Sequence, residues 1–60
     1  MYIVTNIDNI KKTFANDIEL IEYVRKIAIE NEDFDYSILG ISDAIEYLEE
    51  YCPNLTLEEN

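Results

Sequence analysis

The chain has 60 residues, 14 Asp and Glu against 4 Lys and Arg, no histidine, one cysteine, one glycine and one proline, and a formal net charge of −10. That length allows one domain, 1–60, with a marginal core; the lone cysteine excludes an internal disulfide, and the lack of histidine and of a cysteine cluster removes a structural zinc site. A composition that is 48% hydrophobic with seven aromatic residues is not that of a disordered acidic tail, so self-association, most simply a two-fold homodimer, is the expected source of further burial.

Residues 2–7 are rich in β-branched and aromatic side chains, and residues 10–15 form a weaker strand candidate. Asp8 and Asn9 between them tolerate the positive φ of a tight turn. A two-residue loop pairs Ile7 with Ile10, Thr5 with Lys12 and Ile3 with Phe14. Ile3, Ile7, Ile10 and Phe14 then share one face, as a sheet packed on one side requires. The expectation is a β-hairpin over about 2–15; the alternative is a helix starting near Asp8. Asn16, with Glu19 three residues on, reads as a helix start. Leu20, Ile21, Val24, Ile27 and Ala28 then repeat at helical spacing, which predicts a helix over about 17–31. Glu22 and Lys26 form a favourable i,i+4 pair on it.

Residues 31–40 alternate Phe34, Tyr36 and Ile38 with polar residues, as an extended segment or a short helical turn would, and Gly40 marks a break. Ser42 reads as the cap of a second helix over about 43–52. Asp43 stands in its first turn, and Ala44, Ile45, Leu48, Tyr51 and Cys52 form its apolar face. Pro53 ends it. Residues 54–57 are a candidate short strand, followed by a frayed acidic tail. The fold class expected is α+β: an N-terminal hairpin packed against two amphipathic helices, as a homodimer. Tyr2, Val4 and Ile29 lie off the predicted apolar stripes and form the expected dimer contact. Tyr23 and Tyr47 lie toward stripe edges, a place for core completion or for an interface.

The groups that catalysis needs are missing. There is no histidine for acid–base work and no glycine-rich phosphate loop, and a 60-residue domain has little room for a substrate cleft. The chain is therefore read as a non-enzyme without a cofactor. Asn31, Asp33, Asp35 and Ser37 follow the 1, 3, 5, 7 spacing of a calcium loop. Tyr36 stands where that loop needs glycine, and Ser42 where it needs a bidentate glutamate, so no metal site is assigned. Cys52, with acids nearby, reads as a small buried hydrophobe rather than a reactive thiol.

Charge is distributed unevenly. Residues 1–30 are nearly balanced, whereas residues 31–60 hold nine acids and no base. On a helix, Asp43, Glu46, Glu49 and Glu50 place one negative charge per ~3 Å of axis, close to the ~3.4 Å of a single nucleic-acid strand. Glu32, Asp33 and Asp35 extend the patch if the fold brings them alongside. The patch is either a decoy for a basic, nucleic-acid-binding surface or a solvated face that keeps the protein soluble. With Tyr47 added, these residues (Glu32, Asp33, Asp35, Asp43, Glu46, Tyr47, Glu49 and Glu50) form the candidate partner-binding set.

The strand start Tyr2-Ile3-Val4-Thr5-Asn6, the two amphipathic helices and the acidic run Ile41-Ser42-Asp43-Ala44-Ile45-Glu46-Tyr47-Leu48-Glu49-Glu50-Tyr51 resemble, over the full length and in style, small phage-encoded proteins that block bacterial defence or host enzymes. Anti-CRISPR proteins, uracil-glycosylase inhibitors and anti-Hachiman proteins are of this kind. The resemblance implies a protein that inhibits one target by binding it, often as a homodimer. The expected function is inhibition of a nuclease, helicase or other basic-groove protein through an acidic, nucleic-acid-mimicking surface, with no direct nucleic-acid binding. The alternative is a small structural or regulatory subunit that binds through an apolar surface. No signal peptide or membrane span is recognisable, so a cytoplasmic location is expected, in the host cytoplasm if the chain is phage-encoded.

Overall fold

The computed structural model describes all 60 residues as a three-stranded antiparallel sheet packed on two helices, an α+β fold. The elements are β1 (Tyr2–Thr5), β2 (Lys11–Phe14), α1 (Asp17–Glu30), α2 (Ile41–Tyr51) and β3 (Thr56–Glu59), with sheet order β2-β1-β3. The short strand expected at 54–57 forms as an edge strand shifted to Thr56–Glu59, so the acidic residues expected to fray are part of it. Thr56–Glu59 pairs antiparallel with β1. Asn60 N–H donates to the Met1 carbonyl at 2.8 Å, closing the two termini together.

The hairpin forms in a different register from the expected one. Tyr2 pairs with Phe14, Ile3 with Thr13, Val4 with Lys12 and Thr5 with Lys11. The cause is the loop, which has three residues rather than two. Asn9 N–H donates to the Asn6 carbonyl at 3.0 Å, Asn9 takes φ 62°, and Asn6 N–H donates to the Ile10 carbonyl at 3.1 Å. This is a tight turn followed by a left-handed residue, the usual build of a three-residue hairpin loop. The Asn6 carboxamide oxygen stabilises it by accepting from Asp8 N–H at 2.9 Å and Ile10 N–H at 3.0 Å. One extra loop residue shifts the pairing by one position, and every side chain on the shifted strand changes face. Tyr2 and Val4 therefore turn into the core, while Ile7 and Ile10 stay at the exposed tip, 73% and 59% accessible. The expectation that Tyr2 and Val4 make a dimer contact is corrected on the same ground: both are buried within one chain.

Asn16 caps α1 by accepting from Glu19 N–H at 3.0 Å, and the Glu19 carboxylate accepts from Ala15 N–H at 2.7 Å. The first bond satisfies an amide donor that an uncapped first turn leaves open, and the second ties the helix to the residue before its cap. Leu20, Val24 and Ala28 carry its buried face. Phe14 from β2 rests on Tyr23, with ring centroids 4.8 Å apart. The cap of α2 differs from expectation. Gly40 is the N-cap, Ser42 lies inside the first turn, and Asp43 carboxylate accepts from Leu39 N–H at 3.0 Å. The buried face of α2 is Ala44, Tyr47 and Leu48; Tyr47, expected at a stripe edge, is the largest fully buried side chain. Residues 31–40 form turns rather than a strand, with Ile38 plugged into the core.

The observed register makes a direct prediction. Ile7→Thr and Ile10→Thr change stability by no more than about 0.5 kcal/mol, as surface substitutions do. Val4→Ala costs about 1.5–3 kcal/mol through lost burial and a residual cavity. Urea unfolding of the three variants distinguishes this register from the alternative, which would reverse the ranking.

Candidate functional site

The segment after α1 is set by a helix-ending motif. Asp33 N–H donates to the Ala28 carbonyl at 2.9 Å and Glu32 N–H to the Ile29 carbonyl at 3.0 Å, with Glu32 at φ 60°. This pattern closes many helices, and its left-handed residue is normally glycine. A left-handed non-glycine residue costs roughly 1–2 kcal/mol. Here the strained position carries an exposed glutamate.

Tyr47 fixes the loop from the other side. Its hydroxyl donates to Asp33 Oδ2 at 2.6 Å and accepts from Asn31 Nδ2 at 3.3 Å. Its ring meets Tyr36 edge-on at 4.9 Å and lies 4.9 Å from Tyr51, which is itself 5.5 Å from Tyr36. Each such aromatic pair contributes on the order of 0.5–1.5 kcal/mol beyond its buried area. Tyr36 of the loop thus packs on Tyr47 and Tyr51 of α2 and anchors the acidic loop against that helix.

That packing draws the loop acids together. A shallow hollow of about 260 Å³ is lined by Glu32, Asp33, Phe34, Asp35, Tyr36 and Tyr51. Burial pushes the Tyr36 hydroxyl pKa up, and the charges of Glu46, Glu50 and Asp43, with Tyr51, push it further. Asp43, Glu46 and Glu50 stand at i, i+3 and i+7 and so lie on one side of α2, from which their charges reach the Tyr36 hydroxyl. Glu49 is exposed and lies roughly 100° round the helix from Glu50, at the far margin of the band.

Of the residues expected to contact a partner, Glu32, Asp35, Glu46, Glu49 and Glu50 are exposed. Asp33 and Asp43 are half-buried and already hold Tyr47 and Leu39. Tyr47 is fully buried and is corrected from a contact residue to a support. The aromatic side chains that do reach the surface, Phe34 and Tyr51, lie outside the set expected from sequence. Phe34 is revealed only by its side-chain direction in the irregular loop, and Tyr51 by its exposure at the last residue of α2.

The charges are placed at a cost. Neither helix has a base in its last turn, while Glu30 closes α1 and Glu49 and Glu50 close α2. Acids at the negative end of a helix dipole are each unfavourable by about 0.3–1 kcal/mol.

Asn31 and Asp33, two residues of the calcium-like spacing, are both bonded to Tyr47, and no group of three or more acids or thiols is arranged to hold a metal ion. Cys52 is half-buried at the end of α2; burial and then the Asp33 charge push its thiol pKa up. No helix is long and apolar enough to cross a membrane. No protein-family model, curated protein or solved structure gives a significant match to the chain.

Two predictions follow from this geometry. Glu32→Gly relieves the left-handed strain and raises stability by up to about 1 kcal/mol, read from the urea midpoint. Tyr2 donates its hydroxyl proton to Asp17 Oδ1; that bond, then burial, then the charges of Asp17 and Glu59, push its pKa up to about 12 from 10. Folded Tyr2 holds its proton more tightly than the unfolded chain does, so this contribution is complete below pH 10 and is lost as pH rises from 10 through about 12. The stability difference between the native chain and Tyr2→Phe should close across that window.

Proposed function

We propose that this chain is a non-catalytic inhibitor that docks an acidic surface onto the basic site of a nucleic-acid-handling protein. The surface comprises Glu32 and Asp35 on the loop with Glu46, Glu49 and Glu50 on α2. The observation that carries this reading is that the loop acids Glu32, Asp33 and Asp35 line one hollow with Tyr51 of α2, the helix whose Glu46 and Glu50 stand exposed on one side. Two further features support it. The acids stand where they cost stability, at the closing ends of both helices and at the left-handed position of Glu32. A solubilising function could be met at positions free of that cost. Backbone strain held in place by the surrounding structure tends to concentrate at binding sites.

On this reading the negative surface occupies the place of a phosphate backbone. It steers association with a basic groove and loses affinity as salt screens the charges. The chain acts in the cytoplasm beside its target, in the manner of the small phage-encoded inhibitors it resembles, and forms no complex with nucleic acid itself. A second reading is favoured by the exposure of Phe34 and Leu39: a small regulatory subunit that binds through apolar contacts, with the acids serving solubility.

Capture from host lysate on the tagged chain separates the two. The expected partner is a nuclease, helicase or similar enzyme, released by salt and displaced by a short DNA duplex. Glu46→Lys with Glu50→Lys should weaken its binding at least roughly tenfold, while Asp8→Lys with Glu58→Lys, an equal change of net charge elsewhere, leaves it intact. A partner that survives high salt and ignores both pairs would establish the apolar reading instead.

A further inference from the structure

Phe34 stands between two hollows. On one side is the acidic one; on the other, a groove of about 290 Å³ runs between the second half of α1 and residues 33–39. Its floor is Ala28 and Ile38, both buried, and its walls carry Ile29, Phe34 and Leu39, which are 63%, 73% and 80% exposed. Three large apolar side chains opening on one groove differ from the scattered exposed apolar residues that any surface has. The groove is braced from beneath, because Arg25 Nε donates to the Ile38 carbonyl at 2.8 Å. Arg25 is the one cation lining the groove, and its Nε bond holds it at the Ile38 side, while its charge is retained.

The surroundings define the occupant by charge. Asp33 lines the groove, and Glu32 and Asp35 line the hollow just across Phe34, so the rim on that side is acidic; no base follows Lys26 anywhere in the chain. A second copy of this chain is a poor fit, since a two-fold contact places the same acid-rich rim against itself. Each molecule would also bring a net charge of −10. A neutral apolar segment would leave the rim carboxylates desolvated beside it without partners.

We propose that the groove receives a basic amphipathic segment of the target, with aliphatic or aromatic side chains on Ile29, Phe34 and Leu39 and lysine or arginine side chains reaching across Phe34 to Glu32 and Asp35. This rests on the reading of the chain as an inhibitor of a basic protein, and adds what the target must present. The target needs an apolar ridge flanked by cations, as an amphipathic helix provides at i, i+3 or i+4, and i+7. The acids set orientation and encounter rate, and the apolar side chains hold the complex.

The test uses the isotope-labelled full chain and a synthetic helical peptide of leucine and lysine. A serine–lysine peptide of equal charge and a leucine–glutamate peptide are the controls. Amide shifts should concentrate at Ile29, Phe34, Ser37 and Leu39 with the leucine–lysine peptide and be absent with leucine–glutamate. Phe34→Ser with Leu39→Ser, both exposed and so compatible with the fold, should weaken that binding roughly tenfold or more while the rest of the amide spectrum is unchanged. Equal affinity for the serine–lysine peptide, or shifts confined to Asp43, Glu46 and Glu50, would overturn the groove and leave the acidic-surface reading standing. Self-association that buries Leu39 and blocks the peptide would also overturn it, in favour of a second copy. Failure of the inhibitor reading shows elsewhere, as lysate capture that ignores Glu46→Lys with Glu50→Lys.

Discussion

The buried hydroxyl of Tyr47 is the interaction on which the rest of the surface depends. A tyrosine ring placed fully inside a small core must satisfy its polar end, because an unpaired buried hydroxyl costs on the order of 1–3 kcal/mol. Asp33 and Asn31 supply the partners, and both belong to the turn that closes α1. One side chain of α2 therefore determines where the acidic loop lies, and through Tyr36 and Tyr51 it determines what the loop lies against. No buried side-chain polar atom in the structure is left without a partner. Core and site are the same construction seen from two sides: the ring of Tyr47 packs with Ala44 and Leu48, and its oxygen fixes the carboxylates outside.

The sheet follows a similar economy. β1 has neighbours on both edges and contributes Tyr2 and Val4 to the core, so four residues carry most of the sheet's burial. β2 and β3 are short and charged, with Lys11 and Lys12 on one edge and Glu58 and Glu59 on the other. Charged, short edges discourage further strand addition. The sheet is thus a platform for the helices, and the surfaces that remain for a partner lie on the helices and the loop between them.

Electrostatics and stability oppose each other across this molecule. A 60-residue domain has roughly 3–9 kcal/mol of net stability available. Against that, it carries acids at both helix ends and a glutamate in a left-handed conformation, each unfavourable by an amount that matters on this scale. The apolar groove beside the acids adds a further unfavourable exposure. In the proposed complex, a target that is both basic and apolar would offset the charge terms and cover Phe34 and Leu39, while the backbone strain at Glu32 would remain.

Local signals in the sequence were enough for the two helices, the capping of the first by Asn16 and Glu19, the existence of an N-terminal hairpin and the acidic bias of the second half. Each of these depends on residues within a few positions of one another. The hairpin register was not determined locally, because Asp8-Asn9 is compatible with a two- or a three-residue loop. The Asn6 side chain and the burial of Tyr2 and Val4 against the helices select the longer one. The short strand expected at 54–57 is present, but its extension through Glu59 and its pairing depend on β1, and the burial of Tyr47 depends on Asp33, both far along the chain. The exposure of Phe34 and Leu39 likewise depends on distant partners. Sequence by itself determined which residues carry charge and which are apolar. Only the tertiary structure decided which of them face water, because that depends on how α1, α2 and the loop fill one small core, and a core of nine buried residues has room for Tyr47 and Ile38 but not for Phe34.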